Sequence, residues 1–371
     1  MGPSLLVRVP LNDLSRSEAL NQSLVEDLFS IVMSGNYISG PQVAEFSKVF
    51  AQTFNLGYVT GLANGTSALT IALKSLLLPK GSRVLIAANA GGYARVALDA
   101  VNLNATYVDV NETGLLDLDH ISRADLTEVR AVIVTHLYGQ LCEMASIKEF
   151  CKKERIFLIE DCAQAVGAKA DGNYAGSWGD LSTFSFYPTK NLGAMGDAGA
   201  IATKSTELDK RVKMLSQYGW GEKYFNEIPN GENSRMDEIQ AMVLLRRLPH
   251  LTELNLRRKE IWQRYSSCLS EPFRILGTNS ESFVAHLGII DAGDRRQQFR
   301  AYLQERLIET SIHYPIPDYS QVAFLDSKQS LPNTEFLCDS IFTIPLFPGL
   351  REDEIQYVCD AMSNFQMQIG L

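Results

Sequence analysis

A chain of 371 residues, 46% hydrophobic and 21% charged, is too long for one small core and too apolar for a disordered polymer, and it implies a large folded unit plus a smaller one. The formal net charge of -9 excludes a broad nucleic-acid or anionic-membrane surface, so any anionic ligand must be held locally by helix N-termini and a few side chains. Six cysteines (Cys142, Cys151, Cys162, Cys268, Cys338, Cys359) lack CxxC or other metal spacing and read as free thiols of a reducing compartment, with no metal.

In chain order, the opening MGPSLLVRVPLNDL lacks a charged leader region followed by a long apolar run, and Gly2 lacks the rest of a myristoylation signal. No stretch reaches the ~18 apolar residues of a membrane span, so a cytoplasmic protein without a membrane partner is expected, in which the sequon Asn64-Gly65-Thr66 has no glycosylation meaning. Helical apolar spacing over 24–34 (Leu24, Leu28, Ile31, Val32) stops at Gly35 and Ser39-Gly40-Pro41. A second helix follows over 42–53, with Val43, Phe46, Val49 and Phe50. A strand near 58–62 runs through ANGTSAL into a helix that buries Leu69, Ala72, Leu73, Leu76 and Leu77 and ends before Pro79. Next come a strand at 83–88, a helix around 93–102, a strand at 106–110 and a helix-containing link. The apolar run 131–135 reads as a strand buried on both faces, followed by a helix at 145–153 and a strand at 156–161. Such alternation predicts βαβ units, hence an α/β fold with a mainly parallel sheet covered on both sides. FSFYPTKNLGAMGDAGAIAT, 184–203, completes a short strand (182–186), turns at Pro188 to present Lys190, loops through Gly193, Gly196 and Gly199, and enters a second strand. Beyond about 204 the pattern becomes that of a smaller α+β unit: helices at 236–250 and 256–269, a strand at 281–290, a helix at 296–309, the segment SIHYPIP and a helix at 353–365. The expected domains are 1–250 and 251–371, divided in or near the long helix around 250.

Four features stand in the order that one chemistry requires. The turn Gly65-Thr66-Ser67 opens a helix, where free N–H groups, the dipole and two hydroxyls make an anion site, or where the turn is simply an N-cap. The lysine of a P-loop is absent. Asp161 ends a buried strand, at the edge where ligands bind in open α/β sheets; it either meets a cation such as a pyridinium nitrogen or caps the next turn. Gln164, one turn later, lies near the same ligand or is an ordinary exposed glutamine. Ser185 leads to Lys190 and can donate to a phosphate held by the first turn, or do nothing there. A lysine buried beside another cation or a protonated ring loses its proton and offers the amine that condenses with a carbonyl; the alternative is a solvated surface charge. In GENSRMDEIQA, 231–241, Asn233 either contributes to the site or caps the following helix, and Arg235 does the same or pairs with Asp237 or Glu238. Together these describe a cofactor with a phosphate, a protonated ring nitrogen and an aldehyde, which is pyridoxal 5'-phosphate. Lys190 would hold the aldehyde and later shuttle the substrate proton, while Asp161 keeps the ring an electron sink.

At these positions the sequence resembles the DegT/StrS family of nucleotide-sugar aminotransferases, of the aspartate-aminotransferase fold (PLP fold type I). The blocks SGNYISGPQV with Phe46 (34–46), ANGTSAL (63–69), HLYGQ (136–140), IEDCAQAVGA (159–168), FSFYPTKNLGAMGDAGA (184–200), NSRMDEIQA (233–241) and IHYPIP (312–317) follow in family order and cover most of the chain. The resemblance implies Lys190 as the Schiff-base lysine, Asp161 facing the pyridine nitrogen, Gln164 near the ring hydroxyl, and Thr66, Ser67 and Ser185 around the phosphate. It also implies a homodimer with two shared sites, in which Asn233 reaches the phosphate of the neighbouring subunit's cofactor. Helices between 24 and 53 and after 236 are the candidate interface.

One departure stands out. After the strand at 83–87 the family has an aromatic residue that stacks on the cofactor ring, whereas AANAGGYARVAL places Gly91 there. Either Tyr93 supplies the ring face through a shifted loop, or that stack is lacking and Tyr93 is a helix residue packed on the sheet. Members with histidine in place of the lysine are dehydratases, which Lys190 argues against. NLGAMGDAGA, YGWGEKYFNE (218–227) and GENSRMDEIQA are more similar to enzymes that aminate C3 of a dTDP-linked 3-keto-6-deoxyhexose than to those acting at C4. The implied reaction takes the amino group of L-glutamate to that nucleotide-linked keto sugar in two half-reactions. Lys223 and Tyr224 either approach the nucleotide diphosphate or are solvated; Tyr187, Arg235 and His313 are further substrate candidates, His313 being alternatively a satisfied histidine of the small domain. The competing classes are a 4-keto UDP- or dTDP-sugar aminotransferase and a non-catalytic regulatory relative, although no basic helix-turn-helix is visible. The product would serve either a surface polysaccharide such as O-antigen or a glycosylated small molecule.

Overall fold

Seven strands form the central sheet of the computed structural model, which describes residues 8–16, 18–324 and 329–370. The first seven residues, on which part of the expectation for a leader and all of that for Gly2 fall, lie outside these. The strands are β1 (Tyr58–Leu62), β2 (Arg83–Ala87), β3 (Asn104–Val108), β4 (Val129–Thr135), β5 (Phe157–Asp161), then, after a hairpin of β6 (Lys169–Ala170) and β7 (Asn173–Tyr174), β8 (Leu181–Ser185) and β9 (Gly199–Thr203). Their order is β1-β9-β8-β5-β4-β2-β3. From β8 to β3 all pairs are parallel, and β9 runs antiparallel to both β8 and β1. The reversal follows from the Lys190 loop, which contains no crossover helix to carry the chain back to a parallel start.

Alternation along the strands sorts side chains onto two faces. Val84, Ile86, Ala131, Ile133 and Ile159 join one core, with Leu69 and Leu73 of α3 (Gly65–Ser75), Ala97 and Leu98 of α4 (Tyr93–Ala100), and Val212 and Leu215 of a helix at Thr206–Leu215. Leu85, Ala87, Val132, Val134 and Leu158 join the other. There they meet Phe46 and Phe50 of a helix at Pro41–Phe54, Ile147 and Cys151 of a helix at Met144–Glu154, and Leu244 of a helix at Glu238–Arg247. A third core uses Ile261, Tyr265, Phe299, Phe342, Met362 and Phe365, together with Val9 from the start of the chain. Its antiparallel sheet pairs strands at Arg274–Ile275, Gly288–Asp291 and Ile341–Ile344.

Several expectations need correction. The strand expected over 281–290 is confined to Gly288–Asp291, because the preceding residues cross to the 139–141 segment: Val284 N donates to Gly139 O (2.9 Å), and Leu141 N donates to Ser282 O (2.8 Å). Ala285 takes φ +46° there, outside strand geometry. The helix expected from 256 begins at Leu251, joined to its predecessor through a 3-10 turn at Leu248–His250 rather than a loop. The helix expected to reach 309 ends at Gln304, before Leu307 turns left-handed at φ +57°. Helices at Thr206–Leu215 and Pro332–Ser340 and the strand Ile341–Ile344 add to the anticipated elements.

Candidate active site

The C-terminal ends of the parallel strands open into a cavity of about 740 Å³, roughly the size that holds a cofactor together with a small substrate. At one end is the start of α3. Asn64 is its cap, its Oδ1 accepting from Ser67 N (2.9 Å), so the capping role falls on Asn64 and leaves the Thr66 and Ser67 hydroxyls to the cavity they line. The helix end is pressed against the sheet: a Cβ added to Gly65 would lie 2.8 Å from Ser185 Cβ, and Ser185, which ends β8, lines the same cavity. Helix N-terminus and three neighbouring hydroxyls thus converge on one place, an arrangement suited to a phosphate.

Asp161 and Lys190 face this space from β5 and from the loop after β8. Asp161 is 7% exposed and does both things the sequence allows, since its Oδ1 also accepts from Ala163 N (3.1 Å). Burial raises its proton affinity; the Ala163 N–H and the Lys190 charge oppose that rise. Burial likewise drives Lys190 down from 10.5 to about 8, against the attraction of Asp161. A minor fraction of the lysine is therefore free amine at neutrality and most of it above pH 8, the state nucleophilic attack needs. Gln164 is fixed on both sides: its Oε1 accepts from Tyr138 N (2.7 Å), and its Nε2 donates to Tyr314 Oη (3.0 Å).

Residues that sequence reasoning passed over hold these groups in place. Behind Asp161, Glu160 is fully buried and accepts from Gly176 N, Trp178 N, Gly179 N and Ser182 Oγ, and from His136 Nε2 at 3.1 Å. Burial alone would raise Glu160, but His136 and the backbone N–H groups hold it below the usual carboxylate range. His136, Glu160 and Cys162 have a metal-like composition and lie within 4.8 Å of one another, yet Glu160 is saturated by protein donors and His136 Nδ1 accepts from Cys142 N (3.3 Å). That donor set serves the fold rather than an ion. After Lys190, Asn191 Oδ1 meets His286 Nδ1 at 2.8 Å; an amide oxygen only accepts, so neutral His286 carries its proton on Nδ1. Arg258 lies beside it, giving hydrogen bonds to His286 O and Leu346 O. Burial, then the Lys190 charge, lowers both His286 and His313.

Tyr93, Tyr187 and His313 also line the cavity. Tyr187 is half-exposed, and His313 Nδ1 meets Thr343 Oγ1 at 2.6 Å, so His313 is both a satisfied histidine and a wall residue. Four candidates stand elsewhere. Lys223 and Tyr224 form the turn of a hairpin between Trp220–Glu222 and Phe225–Asn226, with Lys223 Nζ 5.1 Å from the Tyr224 ring centroid. Asn233 is exposed and bridges Gln217; it does not cap the next helix, whose N-cap is Asp237. Arg235 does not pair with Glu238, whose oxygens accept instead from Gly40 N, Gln42 N and Val43 N, capping the helix at Pro41–Phe54; Arg235 Nε is buried without a hydrogen-bond partner. A sequence signal for the Glu238 role existed in Gly40-Pro41, a helix start with no capping side chain of its own.

An anion pocket, a buried carboxylate, an amine of lowered pKa and a free volume of this size fit pyridoxal 5'-phosphate. Comparison with known proteins gives the same answer. Residues 18–363 match the DegT/DnrJ/EryC1/StrS aminotransferase family. The chain is 37% identical to the dTDP-3-amino-3,6-dideoxy-alpha-D-galactopyranose transaminase of Aneurinibacillus thermoaerophilus (96% of this chain, 99% of that one). It is 32% identical to the dTDP-3-amino-3,4,6-trideoxy-alpha-D-glucose transaminase of Streptomyces venezuelae (98% and 97%) and 32% identical to a pleiotropic regulatory protein of Geobacillus stearothermophilus (97% and 99%). Among solved structures, Streptomyces venezuelae DesV in complex with a ketimine intermediate superposes with a TM-score of 0.92 (32% identity; 96% and 98% covered), and Bacillus subtilis NtdA with bound PMP with 0.91 (28%; 98% and 86%). This chain belongs to the DegT/DnrJ/EryC1/StrS aminotransferase family and is a pyridoxal-phosphate-dependent transaminase of fold type I.

Proposed function

We propose that this enzyme moves the amino group of L-glutamate onto C3 of a dTDP-linked 3-keto-6-deoxyhexose, releasing 2-oxoglutarate and a dTDP-3-amino-3,6-dideoxyhexose. The observation that carries the reading is the convergence of Lys190, Asp161, Gln164, Ser185, Thr66 and Ser67 on one cavity. The names of the Aneurinibacillus and Streptomyces relatives support a dTDP sugar and position C3.

The α3 N-terminus, with Gly65, Thr66, Ser67 and Ser185, would hold the cofactor's phosphate, and Asp161 would hold a proton on its ring nitrogen. When bound, the cofactor supplies an electron sink that stabilises negative charge at the reacting carbon. Lys190 would hold the cofactor's aldehyde at rest and, when freed by an incoming amine, would carry a proton from the donor carbon to the cofactor's C4' and, in the second half-reaction, from C4' to C3 of the sugar. Its pKa of about 8 suits both directions near neutrality. Gln164, held by Tyr138 N, would help to position the ring. Tyr187 and His313 would meet the sugar at the rim.

The active unit is a homodimer, in which Asn233 of the partner subunit completes the phosphate site and Arg235, Lys223 and Tyr224 approach the nucleotide across the interface. In support, these four residues do not line their own chain's cavity. The helix Glu18–Ser34 also leaves Val25, Phe29, Val32 and Met33 between 55% and 69% exposed, an apolar face that a second copy would cover. A core built mainly from residues 261–365 supports a division into domains of 1–250 and 251–371, from which Val9 departs by packing in the C-terminal core, and unpaired cysteines support a reducing cytoplasm. A regulatory role without catalysis is the second reading, favoured by the relative named for pleiotropic regulation. Incubation with L-glutamate and dTDP-linked 3-keto or 4-keto sugar, with NMR location of the new C–N bond, separates these. Amination at C3 that disappears in Lys190→Ala is expected. Amination at C4, or none in the wild type, overturns the proposal.

A further inference from the structure

We propose that the ring of Tyr314, reached from the far side of the cavity, is the aromatic wall against which the cofactor ring lies, and that Gly91 is glycine because this ring occupies the place of a side chain there. The inference rests on the cofactor reading of Lys190 and Asp161, and it assigns a residue that neither composition nor spacing singled out.

A Cβ added to Gly91 would lie 2.5 Å from both Cδ1 and Cε1 of Tyr314, far inside contact distance. Gly91 also has φ +78°, a conformation side chains rarely adopt, so backbone and space agree in keeping the position bare. Tyr314 itself sits at φ +58°, which an aromatic residue holds only when its surroundings dictate it, and such strain gathers at ligand sites. Two anchors dictate it here. Gln164 Nε2 donates to its hydroxyl at 3.0 Å, and Asp318 N, four residues on, donates to Ala88 O at 2.8 Å, stitching the segment to the end of β2. The Tyr93 ring stands edge to face with Tyr314, centroids 6.3 Å apart at 88°, and is half-exposed. Tyr93 therefore braces the wall, and Tyr314 provides it. The same cavity is lined by Ala163, whose N–H is bonded to Asp161, so a methyl group and a phenol ring are both available beside the carboxylate and the lysine. An electron-rich phenol face attracts an electron-poor pyridinium, and the Gln164 amide fixes where that face stands.

The test is titration of apoenzyme with pyridoxal 5'-phosphate, read by the visible circular-dichroism band of the bound cofactor and by Kd, for wild type, Tyr314→Phe, Tyr314→Leu, Tyr93→Leu and Gly91→Ala. Thermal unfolding of each apo form checks folding. Tyr314→Phe should keep the band and stay within about threefold of wild-type Kd. Tyr314→Leu should weaken binding about tenfold and shrink the band, the size of one ring–ring contact. Gly91→Ala, which pushes the ring away without altering it, should weaken binding as well, and this arm stands even if Tyr314→Leu fails to fold. Wild-type affinity in Tyr314→Leu or in Gly91→Ala overturns the proposal; so does a loss in Tyr314→Phe equal to that in Tyr314→Leu, or a loss confined to Tyr93→Leu. A wild-type protein that gives no band removes the cofactor reading instead, so the two failures are distinct.

Discussion

Replacing Gly65 with alanine sets helix propensity against site geometry. Alanine favours a helix over glycine by up to about 1 kcal/mol, so propensity alone predicts an equal or more stable protein. The new methyl, however, would stand 2.8 Å from Ser185 Cβ. Carbon pairs settle at about 3.5–4.0 Å, so one partner must yield by roughly 1 Å. Ser185 belongs to β8, which is hydrogen-bonded between β5 and β9, so the free end of α3 is the part that moves. Overpacking of this kind costs about 1–3 kcal/mol, enough to cancel the propensity gain. A displacement of about 1 Å takes N–H groups of the α3 N-terminus out of hydrogen-bond reach of a phosphate, and each bond to a charged group lost in this way costs about 1.5–3 kcal/mol. We therefore expect Gly65→Ala to unfold within a few degrees of wild type while its affinity for pyridoxal 5'-phosphate falls at least tenfold, with pyridoxal, which lacks the phosphate, binding both forms alike. Calorimetry and apoenzyme titration measure the two quantities. Unchanged affinity for the phosphorylated cofactor would refute the placement of its phosphate at α3.

Three other outcomes are expected. Because burial lowers Lys190 from 10.5 to about 8, the unfolded chain binds more protons between these values; the penalty is full below pH 8 and relieved as pH rises toward 10.5. Covalent uptake of cofactor by apoenzyme, trapped with borohydride and located by mass spectrometry, should accelerate through about pH 8; a midpoint near 10.5 would show a solvated lysine. Glu160→Gln puts an amide among backbone donors that now point at a carboxylate, and should cost about 3–5 kcal/mol in urea unfolding, whereas a change under about 1 kcal/mol would mean the cluster is dispensable. Phe29→Glu, on the exposed apolar face of the first helix, should convert dimers to monomers in light scattering; dimers of undiminished stability would place the interface elsewhere.

What could be read without coordinates follows a physical divide. The parallel strands and the helices between them have local periodicity, which puts Asp161 and Ser185 at strand ends and Gln164 and Lys190 in the segments that follow them. The errors arise where long-range contacts overrule local pattern. Residues 281–287 read locally as the first part of a strand, yet Val284 pairs with Gly139 across the molecule. Arg235 and Glu238 are spaced to pair on a helix, but Glu238 serves the start of another helix nearly two hundred residues earlier. Thr66 and Ser67 invite the capping role that Asn64 takes. Tyr314 was visible only as part of a block, because its meaning depends on a glycine more than two hundred residues away.

The anchoring of Glu160 has a bearing on how such an enzyme diversifies. The residue next to it, Asp161, is the acid assigned to the cofactor, and the strand end that carries both is clamped by the 176–179 turn and His136. That seat cannot drift when the rim is rebuilt. If Tyr187 and His313 meet the sugar as proposed, exchanging either would change which hexose enters while the proposed proton transfers beneath continue as before, and new sugar tastes could arise without relearning the chemistry.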